Sequence, residues 1–178
     1  MNLILFGPPG AGKGTQANNL VRHYDLFKVS TGDLLRSEIN NNTQLGEKIQ
    51  KTIESGSFVS DHIINDLIEN TLKNKKYANR FIFDGYPRTL NQARNLNILL
   101  KKFDQKISCV LCLNVKKDTI KKRILGRQIC KKCGLIFNEF FNPSTKKNHS
   151  CETELLERRS DDSNHVIESR YESYIKQT

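Results

Sequence analysis

Residues 7 to 15 read GPPGAGKGT and nearly form a phosphate-binding loop. In the pattern G-x-x-x-x-G-K-[ST], backbone N–H groups wrap a phosphate, the lysine reaches the outer phosphates and the last hydroxyl binds magnesium. Gly7, Gly12 and Lys13 fit, but Gly14 stands at the hydroxyl position and Thr15 comes one residue late. A second chemical stretch is RFIFDGYPR, residues 80 to 88. An apolar strand ending in Asp has the form of a magnesium carboxylate. The plain alternative is an Asp-Gly turn at a strand end. Magnesium keeps several waters, so Asp84 can hold it through water, and Gly14 then becomes tolerable.

These residues need a strand, a loop and a helix to position them. MNLILF enters the loop as a buried strand, and residues 13 to 24 follow as a helix with Ala17, Leu20, Val21 and Tyr24 on one face. LFKVS (26–30), RFIFD (80–84) and ISCVLCLNV (107–115) read as further strands. Ser60 caps a helix whose apolar stripe is Ile63, Ile64, Leu67, Ile68 and Leu72; Thr89 starts another, through Leu96, Leu99 and Leu100. The alternation predicts an α/β fold, three layers with a parallel sheet covered on both faces. Two segments, 30–59 and 126–161, break it and read as insertions over the carboxyl edge of the sheet, where ligands bind in such folds.

The 178 residues suffice for one domain with a core, and 37% hydrophobic against 27% charged residues is a globular composition. The apolar start, Leu3 to Phe6, is too short for a signal-peptide core or a membrane span. The chain therefore reads as cytoplasmic, without a membrane partner. A net charge of +10 points to an anionic partner, either nucleotide phosphates or nucleic acid. Residues 116 to 132 carry eight Lys/Arg against one Asp.

GPPGAGKGT, STGDLLR (30–36), FDGYPRT (83–89), the GR pair (126–127) and RRSDD (158–162) occur in this order over essentially the whole chain. Together they resemble the adenylate kinase family, whose own loop reads GKGT. The resemblance implies a P-loop α/β/α core from residues 1–29, 60–125 and 162–178, with sheet order 2-3-1-4. It makes 30–59 an AMP-binding insertion and 126–161 a lid. It implies phosphoryl transfer from magnesium-bound ATP to AMP, giving two ADP. ATP would meet Gly10, Ala11, Gly12, Lys13, Gly14 and Thr15. AMP would meet Thr31, Arg36, Ser57, Phe58, Val59, Gly85, Tyr86, Pro87, Arg88 and Gln92. Gln92 is ambiguous, because Thr89-x-x-Gln92 is also a helix-capping box; the family motif favours the AMP adenine.

Phosphoryl transfer needs alignment and positive charge, and the planar fork of arginine binds phosphate bidentately. By resemblance, Arg36 and Arg88 hold the AMP phosphate, and Arg123 and Arg127 meet ATP. Arg159 and Arg170 close over the transferring group and the AMP side. The expected catalytic set is Lys13, Arg88, Arg123, Arg159 and Arg170. Asp33 joins Asp84 around the magnesium waters, and Asp161 and Asp162 set the lid by pairing with arginines.

Cys109 and Cys112 lie three apart on a strand, so they point to opposite faces and read as core residues. Cys130-x-x-Cys133-Gly is a zinc knuckle, and Cys151 adds a third thiol. A disulfide does not suit a reducing cytoplasm. For the fourth ligand, Glu154 keeps the x-x spacing after Cys151 and related lids sometimes place a carboxylate there; His149 is intrinsically the better zinc ligand. Glu154 is the expectation. A lid of unlinked thiols without metal is the alternative.

Adenylate kinases continue past the equivalent of Thr178 with one more strand and a helix. Without them the run Ile107 to Val115 is expected to be an edge strand, and the 178-residue monomer to self-associate through it. Two other functions remain open: a kinase for UMP or CMP, and a basic zinc-knuckle protein that binds nucleic acid. The second leaves the phosphate loop, Asp84 and the arginines unexplained, and the basic stretch lacks interleaved aromatics for stacking bases. No nucleic acid is therefore expected.

Overall fold

The computed structural model describes residues 1–55 and 59–178. Its central sheet has four parallel strands, β1 (Asn2–Phe6), β2 (Phe27–Ser30), β3 (Phe81–Asp84) and β4 (Ile107–Cys112), in the order β2-β3-β1-β4. The helices are α1 (Lys13–Tyr24), α2 (Thr31–Asn40), α3 (Gln44–Glu54), α4 (Asp61–Leu72), α5 (Leu90–Lys102), α6 (Lys117–Leu125) and α7 (Asn164–Gln177). The expected fold class and strand order are both observed.

Strand alternation sends successive side chains to opposite faces of the sheet. Leu3, Leu5 and Ile82 pack with Ala17 of α1 and with Leu26. Ile4, Val29, Phe81 and Phe83 face the other way, against Ile64, Ile68 and Leu72 of α4 and Leu96, Leu99 and Leu100 of α5. Each fully buried side chain of this kind contributes about 1.5–3 kcal/mol. β1 and β3 are buried on both sides, so they hold a fixed register. Leu5 and Ser30 both lie opposite Asp84. That register sets the phosphate loop, the start of α2 and Asp84 side by side at the carboxyl edge.

The two irregular segments are built differently. α2 and α3 pack closely, because a Cβ at Gly46 would stand 2.3 Å from the Glu38 carbonyl oxygen. Their N-termini are capped by Ser30, which accepts from the Asp33 N–H, and by Thr43, which accepts from the Gly46 N–H. The second segment holds a small antiparallel sheet of β5 (Arg127–Cys130), β6 (Ile136–Asn138) and β7 (Leu156–Glu157), in the order β6-β5-β7.

Three local expectations need correction. Tyr24 is exposed and lies edge-on to His23, because the helix has turned it past the sheet. Ser60 stands at the start of α4 but its hydroxyl makes no capping bond. Cys109 and Cys112 are exposed rather than in the core. Burial on β4 ends at Ile107, since the strand lies at the sheet edge and both its faces are open from Ser108 to Cys112.

Val110 is 55% exposed on that edge, a long apolar template for pairing with another chain. A polypeptide of these 178 residues is expected to self-associate with rising concentration. Val110→Lys should reduce the association seen by sedimentation velocity; an unchanged profile would place the contact elsewhere.

Candidate active site

The phosphate loop runs from the end of β1 into α1. Gly10 has φ +77°, and a Cβ there would stand 2.7 Å from Ile124 Cγ1 of α6, so only glycine lets the loop pass. The Lys13 ammonium bends back and donates to the carbonyls of Gly7 (2.7 Å) and Pro8 (2.9 Å). Burial pushes its pKa down to about 8; Asp84 opposes that shift and Arg88 adds to it. A Cβ at Gly14 would stand 3.3 Å from Asp84 Oδ2. The position that lacks a hydroxyl is therefore pressed against the carboxylate that was expected to replace it.

One cleft of about 710 Å³ collects the charged groups. Its lining includes Lys13, Asp33, Asp84 and all six expected arginines, Arg36, Arg88, Arg123, Arg127, Arg159 and Arg170. Gly10 to Thr15, Thr31, Val59, Gly85, Pro87 and Gln92 line it too. Arg123 Nη1 donates to the Ala11 carbonyl at 2.9 Å, and Arg88 Nε to the Gly85 carbonyl at 2.7 Å. Burial, then the neighbouring Arg170, pushes Arg88 down to about 10. Burial, then Arg127, does the same to Arg159. The Arg159 Nε is a buried donor with no hydrogen-bond partner among the described residues. An anion in the cleft would supply one.

The aspartates divide this charge. Asp33 pairs with Arg36 at 2.5 Å and Lys28 at 3.1 Å. Burial would raise its pKa, but Lys28 and Arg36 together hold it well below the usual carboxylate range. Arg127 forms a two-point pair with Asp162, and Arg170 pairs with the buried Asp161. The pairing expected for Asp161 and Asp162 is thus present.

Two expected AMP contacts, Tyr86 and Gln92, make bonds within the protein. Tyr86 is 1% exposed, with its hydroxyl donating to Asn65 and to the Gln92 carbonyl, so its ring belongs to the core. Ser57 and Phe58 lie outside the described residues. Gln92 makes half of the capping box: its N–H donates to Thr89 Oγ1. Its amide instead accepts from the Arg88 N–H at 2.8 Å and donates to Asp61 at 2.7 Å. Asp61 was missed; it fixes which end of that amide faces which way. Lys28 was missed as well, although strand alternation places it on the same face as Ser30.

In the second segment, Cys130, Cys133, Cys151 and His149 bring four ligand atoms within 4.8 Å of one another. His149, not the expected Glu154, completes the group. A turn between Thr145 and Asn148 delivers it, and its Nε2 lies 3.4 Å from Cys133 Sγ. Its Nδ1 is hydrogen-bonded to Ser144 Oγ at 2.8 Å, which fixes the ring as a metal ligand requires. Glu154 is exposed on a short 3₁₀ turn and outside this cluster. Three thiols and one imidazole suit tetrahedral zinc.

A family model described as Adenylate kinase matches residues 5–178. The chain is 50% identical to an adenylate kinase of Pelagibacter ubique, over all of this chain and 84% of the relative. It is 42% identical to one of Fervidobacterium nodosum and 38% to one of Listeria innocua, again over the whole chain and 82% and 83% of those proteins. The chain belongs to the adenylate kinase family. It is thereby a phosphotransferase acting on nucleotides, and the family implies ATP, AMP and ADP as its substrates and products. No helix among the described residues is long and apolar enough to cross a membrane.

An ATP phosphate held by Lys13 would make binding dependent on pH. The Lys13 ammonium is charged below about pH 8 and discharges as pH rises through that value. A bound phosphate favours the charged form and raises the pKa again. ATP binding is therefore expected to take up a fraction of a proton near pH 8, to take up almost none near about pH 6, and to weaken above pH 8. Titration calorimetry in buffers of different ionisation heat reads that uptake; none near pH 8 would exclude it.

Proposed function

We propose that the protein moves the terminal phosphoryl group of magnesium-bound ATP onto AMP, giving two ADP, and so serves adenine nucleotide balance. The observation that carries this reading is the convergence of Lys13 and six arginines on one cleft beside Asp84. Phosphoryl transfer asks for that arrangement, because charge spreads over the moving group and little covalent chemistry falls to the protein. Lys13 and Arg123 serve the donor phosphates from the loop side. Arg36 and Arg88 hold the acceptor phosphate, and Arg159 and Arg170 bear on the group in transit. Thr31, Val59, Gly85 and Gln92 form the acceptor side, which favours AMP over UMP or CMP.

Asp33 and Asp84 would hold the magnesium through its waters, and both fit, as carboxylates facing the same cleft. That ion, when bound, neutralises phosphate charge and lines up the phosphates. The segments 30–59 and 126–161 act as flaps that exclude water, which otherwise competes with AMP as acceptor. Support comes from the 4.0 Å approach of Arg159, in one segment, to Asp33 in the other. The Cys130, Cys133, His149 and Cys151 group would hold a structural zinc, with no open position for chemistry. Free thiols suit a reducing compartment, and the cytoplasm is the setting we infer.

A coupled assay of ADP formation with AMP, UMP and CMP tests the reaction. AMP should be the preferred acceptor and magnesium should be required; ATP hydrolysis without an acceptor as the main activity would overturn the reading. Arg88→Ala should lower the rate by about 10²–10³-fold or more, the usual loss for one donor to a developing charge. For the metal, elemental analysis of protein purified without chelator should find about one zinc per chain, as a closed four-ligand site predicts. His149→Ala should lose it and Glu154→Ala keep it; the reverse result would restore Glu154 as ligand.

A further inference from the structure

Lys28 lies on β2, two residues before Ser30, and so shares its face of the sheet. Ser30 stands opposite Asp84 in the strand register. The Lys28 ammonium is 3.1 Å from Asp33 Oδ2 and 4.0 Å from Asp84 Oδ2. Among the described residues it is the one cation whose ion pairs span both carboxylates. Asp33 also meets Arg36 at 2.5 Å and Arg159 at 4.0 Å, and Asp84 acts on Lys13 and Arg88. The ammonium is 3.8 Å from the place a Cβ at Gly14 would take. Gly14 therefore leaves room for both the ammonium and the Asp84 carboxylate.

We propose that Lys28 is a positioning residue for the two carboxylates, a tethered counter-ion that holds Asp33 and Asp84 together until a divalent cation displaces it. The proposal rests on the reading of that pair as the magnesium-holding group. An ammonium and a divalent ion compete for the same oxygens. Lys28 thus weakens the hold of the pair on a bare ion. A cation that arrives with nucleotide phosphates suffers less, because those phosphates give the displaced ammonium a new partner. The site then favours metal carried by nucleotide over free metal.

The test is Mn²⁺ titration of the nucleotide-free full chain, with free Mn²⁺ read by electron paramagnetic resonance. Lys28→Gln should bind Mn²⁺ about tenfold tighter than the unmodified protein, because a positive charge beside the oxygens has gone. Lys28→Met should do the same. Lys28→Arg should resemble the unmodified protein, and adding Asp84→Asn to Lys28→Gln should abolish the gain. Circular dichroism checks that each variant is folded. Equal Mn²⁺ affinity with and without Lys28, or a gain that survives Asp84→Asn, overturns the proposal. The coupled assay separates the two readings. Magnesium-dependent turnover alongside equal Mn²⁺ affinity removes the role of Lys28 and leaves the function standing. Absence of any AMP-dependent turnover removes the function, and the proposal with it.

Discussion

Mutual repulsion among the cations of the cleft governs the site. Lys13 and six arginines share about 710 Å³. At separations of a few ångströms, like charges cost several kcal/mol in a partly buried setting. The protein offsets this by giving cations fixed acceptors. Lys13 has the Gly7 and Pro8 carbonyls, Arg88 that of Gly85, and Arg123 that of Ala11. Arg36, Arg127 and Arg170 have Asp33, Asp162 and Asp161. Burial adds a cost of its own. It is the largest cause that pushes Lys13 down to about 8 and Arg88 and Arg159 to about 10, and neighbouring arginines add to it. For Lys13 the shift amounts to about 3 kcal/mol held against the charged form, a cost that an incoming phosphate would relieve.

Such a site needs a rigid base. The two-faced core supplies it, with Phe81, Ile82 and Phe83 each fully buried on β3. The strand that carries Asp84 is therefore the best anchored in the sheet. Asn2 adds to this from the opposite end: it is fully buried, accepts from the Phe81 N–H and donates to Gln105. The cationic edge and the buried polar edge sit at opposite ends of the same strands. The core between them keeps the carboxyl edge level against the repulsion.

Elements with one strong physical signature were legible in the sequence. Apolar runs marked the strands, two of them ending at Gly7 and Asp84, and the phosphate loop fixed where β1 becomes α1. The arginines were legible only through their motif neighbours, since a lone surface arginine carries no such information. What escaped was decided by tertiary placement. Spacing favoured Glu154, but a turn at 145–148 carries His149 inward, and turn geometry leaves no mark on residue spacing. Cys109 and Cys112 were assigned to the core because free cysteine is usually buried; the edge position of β4 outweighs that preference. Tyr86 sits inside a binding motif yet turns its ring into the core, where its hydroxyl finds Asn65 and the Gln92 carbonyl.

The missing hydroxyl at position 14 follows from the same electrostatics. A serine or threonine there would bring its Cβ to 3.3 Å from Asp84 Oδ2, closer than most such contacts, with the hydroxyl further out. The carboxylate would have to shift, and Lys28 with it, since its ammonium lies 3.8 Å from that same Cβ. Asp84 is the group that raises the pKa of Lys13 against burial, so moving it would also weaken the charged state of the loop lysine. Gly14 thus leaves out the hydroxyl and preserves a carboxylate that pairs with Lys28, supports the charged form of Lys13 and, in the function we propose, would hold magnesium. A hydroxyl at Thr15, one position along, costs none of this, because that residue is exposed on the first turn of α1 and still lines the cleft.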